Sequence, residues 1–183
     1  PVDQMAVDEM SKDLAHLMKI VDRFSKIGSE TQLTPMNINE VVGDTVLYFR
    51  RRVPRNVTLS YNGLAMAPIE APINAALFEW VIENLMKNSL DALQGHGNID
   101  VVIGETDQIV FVEVSDTGKG IAKGNWTRIF EPGFTTKTRG WGLGLSLSRR
   151  IIEEYHKGRI AVVRSEIGKG TTIRVTLNRT ENE

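Results

Sequence analysis

The feature that most constrains this chain is a stretch without a regular pattern. Residues 117 to 142 are dominated by glycine, threonine and basic side chains and show no apolar period. They nevertheless lie between a strand-like run ending at Val114 and a helix-like run opening at Leu143. A loop this long inside a compact domain is usually functional or disordered. The rest of the chain must therefore supply the regular elements that hold its two ends.

Those elements are legible from spacing. Met10, Leu14, Leu17, Met18, Val21, Phe24 and Ile27 recur at helical intervals, so residues 1 to about 27 read as a helix with a stop at Gly28-Ser29. A single helix cannot bury its own apolar stripe, so this one requires a partner outside this sequence or a second copy of the chain. Gln32 to Met36 reads as a linker, since Pro35 disfavours helix just before it. A second helix starts at Asn37 or Asn39, either of which can cap it, and buries Ile38, Val41, Val42, Thr45, Val46 and Phe49. It runs into Arg50-Arg51-Arg52, which the helix dipole favours, and Pro54 closes it. Strands are expected at Val57 to Tyr61 and Ala65 to Glu70, then a helix from Ile73 to Leu93 stopping at Gly95. Ile99 to Ile103 and Ile109 to Val114 read as two strands around a turn near Thr106-Asp107. Leu143 to Tyr155 reads as a helix, followed by strands at Arg159 to Val163 and Thr172 to Leu177 around a Gly168-Lys169-Gly170 turn. Strand pairs joined by tight turns imply antiparallel pairing. The expected fold is thus a two-layer α/β sandwich, a mixed and mostly antiparallel sheet packed on helices and preceded by an N-terminal helix, rather than a doubly wound parallel sheet.

Composition removes other classes. A chain of 183 residues, 41% of them hydrophobic, suits one domain with a small appendage. A formal net charge of −1 argues against nucleic acid or an anionic membrane surface as partner. With no cysteine, disulfides, cysteine zinc sites and a thiol nucleophile are excluded. The longest apolar runs fall well short of the ~20 residues of a membrane-spanning helix. Pro1-Val2-Asp3-Gln4 does not open a signal peptide, and the missing initiator Met suggests a piece of a longer protein.

Four segments can carry chemistry. Asn84 and Asn88 lie four apart on one helix face, beside the apolar Val81, Leu85 and Ala92. Two amides there are costly to bury without partners, and their oxygens suit Mg²⁺ or phosphate; two surface amides are the plainer reading. Asp116-Thr117-Gly118-Lys119-Gly120 follows a strand, where a carboxylate can accept from an exocyclic amine and the glycines allow a flat ring close approach; an ordinary turn would look the same. Phe130-Glu131-Pro132-Gly133-Phe134-Thr135-Thr136-Lys137 places two phenylalanines in a polar loop. They would be buried by a lid folding over a nucleotide, with Lys137 or Arg139 reaching phosphate, or by simple aromatic anchoring. Gly140-Trp141-Gly142-Leu143-Gly144-Leu145 opens a helix, whose bare amides can bind phosphate. It is neither a P-loop nor a dinucleotide fingerprint.

Taken in order, these four segments resemble the four boxes of the histidine-kinase ATP-binding domain, a branch of the Bergerat, or GHKL, ATPase-kinase superfamily, over about residues 37 to 178. The resemblance implies ATP and Mg²⁺ as ligands. It implies Asn88 as the metal ligand, with Asn84 beside it near the phosphates, and Lys137 acting with both in catalysis. It implies a nucleotide site drawn from Asn84, Lys87, Asn88 and Asp91; from Asp116, Gly118, Gly120 and Ile121; from Phe130, Thr135, Thr136 and Arg139; and from Gly140, Gly142, Leu143, Gly144 and Leu145. Lys119 to Trp141 would form the lid. Many family members carry a lysine where this chain has Asp91, so phosphate charge would be met by Lys87, Arg128, Lys137 or Arg139.

Hydrolases of the same fold resemble one another in placing a glutamate where this chain has Asn84. Glu83 is adjacent but turned about 100° around the helix, which suits ATP held for transfer rather than attacked by water. None of His16, His96 or His156 stands in an acceptor motif. Residues 1–30 are therefore expected to be the remnant of a dimerisation hairpin, its second helix only, and residues 31–183 the catalytic domain. Expected partners are the dimerisation and histidine-phosphotransfer domain of the parent kinase and a response regulator receiver domain, with a homodimer through the N-terminal helix also open. The expected compartment is the cytoplasm, whether or not the parent is membrane-anchored. A GHKL-type ATPase, or a nucleotide-binding signalling module without phosphotransfer, remain the alternatives.

Overall fold

The computed structural model describes residues 32–137 and 142–179. The expected N-terminal helix, the hairpin remnant and the site positions Arg139 and Gly140 lie outside the described residues. From Leu33 onward the described residues belong to one compact unit.

Five strands form the main sheet: β2 (Val57–Tyr61), β4 (Gly97–Glu105), β5 (Ile109–Asp116), β6 (Arg159–Glu166) and β7 (Gly170–Asn178). Their spatial order is β2-β4-β5-β7-β6. Only the β2–β4 pair is parallel; the other three are antiparallel, as the tight turns implied. Period-two alternation sends Ile99, Val101 and Ile103 of β4 and Val110, Val112 and Val114 of β5 into the core. The helices α1 (Ile38–Arg50), α2 (Ala75–Leu93) and α3 (Gly144–Arg150) complete the sandwich.

Two expectations about the first third of the domain are corrected. The linker at Gln32 to Met36 is in part a strand, β1 (Thr34–Asn37), paired antiparallel with β3 (Glu70–Ile73) in a small separate sheet. The strand expected at Ala65 to Glu70 is displaced: Gly63–Ala65 form a 3₁₀ turn, and pairing begins at Glu70. The reason is a buried amide. Asn39 donates to the carbonyls of Gly63 and Ala67 and accepts from the Ile69 amide, so residues 63 to 69 wrap around it instead of extending. The α1 cap is accordingly Asn37, whose side chain accepts from the Asn39 amide at 3.1 Å.

The long central helix is α2. Asn74 caps it, its Oδ1 accepting from the Leu77 amide at 3.2 Å. A cap of this kind contributes about 1 kcal/mol. Leu77, Phe78, Val81, Ile82, Leu85 and Met86 are essentially fully buried, so this helix anchors the second layer. It ends where Gln94 adopts a left-handed conformation. The expected helix from Leu143 to Tyr155 is a short α-helix that continues as a π-helical turn, Ile151–Tyr155. There the His156 amide bonds to the Ile151 carbonyl, five residues back.

Candidate nucleotide site

The site is organised by α2, which makes hydrogen bonds to two of the other motif segments and to the helix that the fourth one opens. Asn84 donates from Nδ2 to Ser148 Oγ on α3 at 2.9 Å. Ser89 donates to Asp116 Oδ2 at the end of β5 at 3.3 Å. Asn88 Oδ1 accepts from Lys137 Nζ at 2.7 Å. Segments up to 64 positions apart are thus tied to one helix.

Asp116 is set up as an acceptor. Its Oδ1 accepts from the Gly118 amide at 2.8 Å and its Oδ2 from Ser89. A carboxylate has roughly four acceptor positions, so capacity remains for a further donor. Burial raises its pKa above the usual aspartate value, and the bonds from Gly118, Ser89 and Thr171 partly offset that.

The glycines after Asp116 are demanded by protein packing. A Cβ on Gly118 would sit 2.6 Å from the backbone C and O of Ala92 in α2. Gly120 has φ +71°, and a Cβ there would overlap the Glu166 carbonyl. The Lys119 amide donates to the Ala92 carbonyl, and the Ile121 amide to Ser165 Oγ at 2.7 Å. The segment carrying Asp116 is therefore clamped between α2 and the β6–β7 turn.

At the fourth segment, α3 starts without a side-chain cap. Leu143 is 49% exposed, and Leu145 is half-buried. A Cβ on Gly144 would lie 2.5 Å from Asn84 Oδ1, so the helix start and Asn84 approach as closely as glycine permits. Gly142 has φ +66° and its carbonyl accepts from the Gly133 amide at 3.1 Å.

Much of the expected lid is packed rather than loose. Lys123–Asn125 and Arg128–Phe130 form 3₁₀ turns, and Trp126 Nε1 donates to the Ile121 carbonyl at 3.1 Å. Phe130 is only 5% exposed, so protein packing alone buries it. The stretch next to the site is Thr135 to Lys137. Thr136 Oγ1 accepts from Lys119 Nζ at 3.3 Å, and Thr135 Oγ1 from the Lys137 amide at 3.1 Å.

Lys137 also reaches Asp91 Oδ2 at 2.5 Å, so one ammonium bridges Asn88 and Asp91. That contact fixes the orientation of Asn88, since an ammonium can only meet its oxygen. Asn88 Nδ2 is then buried with no hydrogen-bond partner. Lys87 lies apart from this group, paired with Glu83 at 2.7 Å. Among the described residues there is no group of three or more His, Cys, Asp and Glu side chains that could hold a metal. A divalent cation here would have Asn88 Oδ1 as its protein oxygen and otherwise phosphate and water. That is the habit of Mg²⁺, so the donor set fits it.

Ser89 and Ser148 join the site without having been named as site residues, and Lys119, expected only as the start of the lid, reaches Thr136. Ser89 follows Asn88 and Ser148 lies one turn after Gly144, so adjacency was the only signal available. The Asp91–Lys137 pairing links two expected residues in a way that spacing could not show.

Comparison with known proteins places the chain in a family. Residues 74–181 match the family described as histidine kinase-, DNA gyrase B-, and HSP90-like ATPase. The chain is 45% identical over 98 residues to sporulation kinase E of Bacillus subtilis (strain 168), covering 53% of this chain and 13% of that protein. It is 32% identical over 171 residues to the sensor histidine kinase ZraS of Escherichia coli (strain K12), covering 92% of this chain and 36% of that protein. The chain therefore spans about a third or less of these relatives. Among solved structures, it resembles the catalytic domain of histidine kinase ThkA with a TM-score of 0.72 and 27% identity, over 81% of this chain and 97% of that one.

Proposed function

Because the chain belongs to the histidine kinase-, DNA gyrase B-, and HSP90-like ATPase family, as an ATP-binding catalytic domain of the sensor histidine kinase kind, we propose that it holds ATP with Mg²⁺ and presents the γ-phosphate to a histidine on a separate dimerisation domain. The observation that carries this reading is the set of bonds by which α2 gathers Asp116, Lys137 and the start of α3.

Each group has a defined task. Asp116 accepts from the exocyclic amine of adenine, and the clamp on Gly118 and Gly120 holds that carboxylate in place. Ile121 lies on the same clamped segment. Asn88 supplies the metal oxygen, and Mg²⁺ when bound neutralises charge on the phosphates. The start of α3 at Gly142, Leu143, Gly144 and Leu145 offers backbone amides to phosphate. Asn84 positions that start through Ser148. Lys137 carries the positive charge nearest Asn88, with Thr135 holding its backbone amide, and it neutralises phosphate charge during transfer.

Hydrolysis is not the favoured outcome. The residue on α2 at the position where hydrolases of this fold carry a base is Asn84, which has no basic nitrogen, and its amide is engaged with Ser148. Glu83 is occupied with Lys87. Water then lacks a general base at this position, while an imidazole brings its own nucleophilic nitrogen.

The rest of the pathway follows from the resemblance. The acceptor histidine is supplied by the dimerisation domain of the parent kinase, and the phosphoryl group passes to a response regulator. The site so read works in the cytoplasm. Among the described residues no helix is long and apolar enough to cross a membrane.

The test is transfer of label from γ-labelled ATP to a separately supplied dimerisation domain. Transfer is expected for the wild-type chain and its loss for Asn88→Ala. Rapid steady-state hydrolysis without transfer would establish the ATPase alternative instead. Binding of nucleotide with neither reaction would establish a signalling module.

A further inference from the structure

The ammonium of Lys137 stands where a divalent cation would need to be. It lies 2.7 Å from Asn88 Oδ1, the oxygen proposed for the metal, and is held there by Asp91 Oδ2 at 2.5 Å. We propose that Asp91 is a positioning residue for the lid: it parks Lys137 on Asn88, so that Lys137 and the magnesium nucleotide compete for one oxygen. This inference rests on the reading of Asn88 as metal ligand.

Three observations favour it. Asn88 is oriented with its oxygen toward the lysine at the expense of its own amide nitrogen, which is left buried and unpartnered. The arrangement is thus set by the cation it meets. Second, Asp91 lies three residues after Asn88, on the same side of α2. An anion there attracts a cation to Asn88 and would repel the phosphates that must come to the same place. Third, the neighbouring Thr136 is tied to Lys119 across the site, so the end of the lid is held at two successive residues. Side chains of Lys137 and Asp91 are 39% and 58% exposed, so the ion pair is a weak hold that nucleotide can displace.

When the magnesium nucleotide binds, Lys137 exchanges one set of oxygens for another. It leaves the Asn88 oxygen and the Asp91 carboxylate and meets phosphate. The lysine is thereby released to its catalytic position only when the cation has taken its place.

The experiment measures affinity of the full chain for a non-hydrolysable ATP analogue across a magnesium titration, by calorimetry. Asp91→Asn is expected to lower the magnesium concentration for half-maximal binding by about two- to fivefold, the range of an exposed ion pair. Removing an anion near a polyanion could do this without any latch, so the cycle is completed with Lys137→Met. In that background Asp91→Asn is expected to give a clearly smaller gain, the part due to phosphate repulsion alone. An equal gain with and without Lys137 would show general electrostatics and overturn the latch. Amine acylation read by mass spectrometry supplies a second readout. Without nucleotide, Lys137 is expected to react faster in Asp91→Asn than in wild type, and equal rates would also overturn the proposal. Asn88→Ala separates the two layers. If it leaves magnesium dependence intact, the metal assignment itself fails. If it removes that dependence while Asp91→Asn changes nothing, only the latch fails.

Discussion

The backbone N–H of Asn74 donates to Nε2 of His156 at 3.1 Å, joining residues 82 positions apart. Asn74 caps α2, the helix that organises the site, and His156 closes the π-helical turn that continues α3. The two helices that bracket the nucleotide site are therefore cross-linked behind it by one imidazole.

That imidazole makes stability depend on pH. With Nε2 accepting, the proton sits on Nδ1, which donates to the Ile151 carbonyl at 2.9 Å. Burial holds the His156 pKa below its usual value, against the opposing effect of its bonds to Ile151 and Asn74. The unfolded chain protonates this ring near pH 6.5 while the folded chain does not. Stability is thus fully present above about pH 6.5 and falls as pH drops from there toward the lower folded value, by at most ~1.4 kcal/mol per pH unit. Urea denaturation between about pH 5.5 and 7.5 checks this. Wild type is expected to lose stability on the acid side, and His156→Phe to flatten the slope.

Gly118→Ala is expected to destabilise the domain by about 1–3 kcal/mol, the usual cost of overpacking. Its Cβ would meet the backbone of Ala92 at 2.6 Å, and backbone in the last turn of this helix, tied at that carbonyl to the Lys119 amide, cannot yield as a side chain does. Gly124→Ala is the control, since a Cβ there meets nothing within 4 Å. Thermal unfolding should separate the two, and equal melting temperatures would show that Gly118 is not part of a clamp.

Asp116→Asn keeps the shape of the side chain but exchanges an anionic acceptor for a neutral amide. Loss of the charge-assisted hydrogen bond proposed for adenine should weaken ATP binding by about 10- to 100-fold. In wild type, ATP affinity should also fall as pH drops through the raised Asp116 pKa, above the ordinary aspartate range. That acid limb should vanish in Asp116→Asn. Isothermal titration across the acid range reads both effects.

The sequence by itself determined the large elements and nominated the segments proposed to bear the ligand. Helical spacing of Leu77, Phe78, Val81, Ile82 and Leu85 and alternation along β4 and β5 are local patterns. Each reports which face is buried without reference to the rest of the chain. Order along the chain was enough to associate Asn84, Asn88, Asp116 and Gly144 with one kind of site. Local patterns failed where a distant partner decides the conformation. Asn39 looked like a second candidate cap, yet it is buried and organises residues 63 to 69, so the expected strand moved to Glu70–Ile73 and the linker gained β1.

Only the tertiary structure decided what the site residues do to one another. Lys137 and Asp91 are 46 positions apart, and no spacing rule links a loop cation to a helix carboxylate. The same holds for Asn74 and His156, and for Gly118 against Ala92. Such pairs are set by how the helices and loops stack on the sheet. Packing, unlike periodicity, depends on every side chain at the contact.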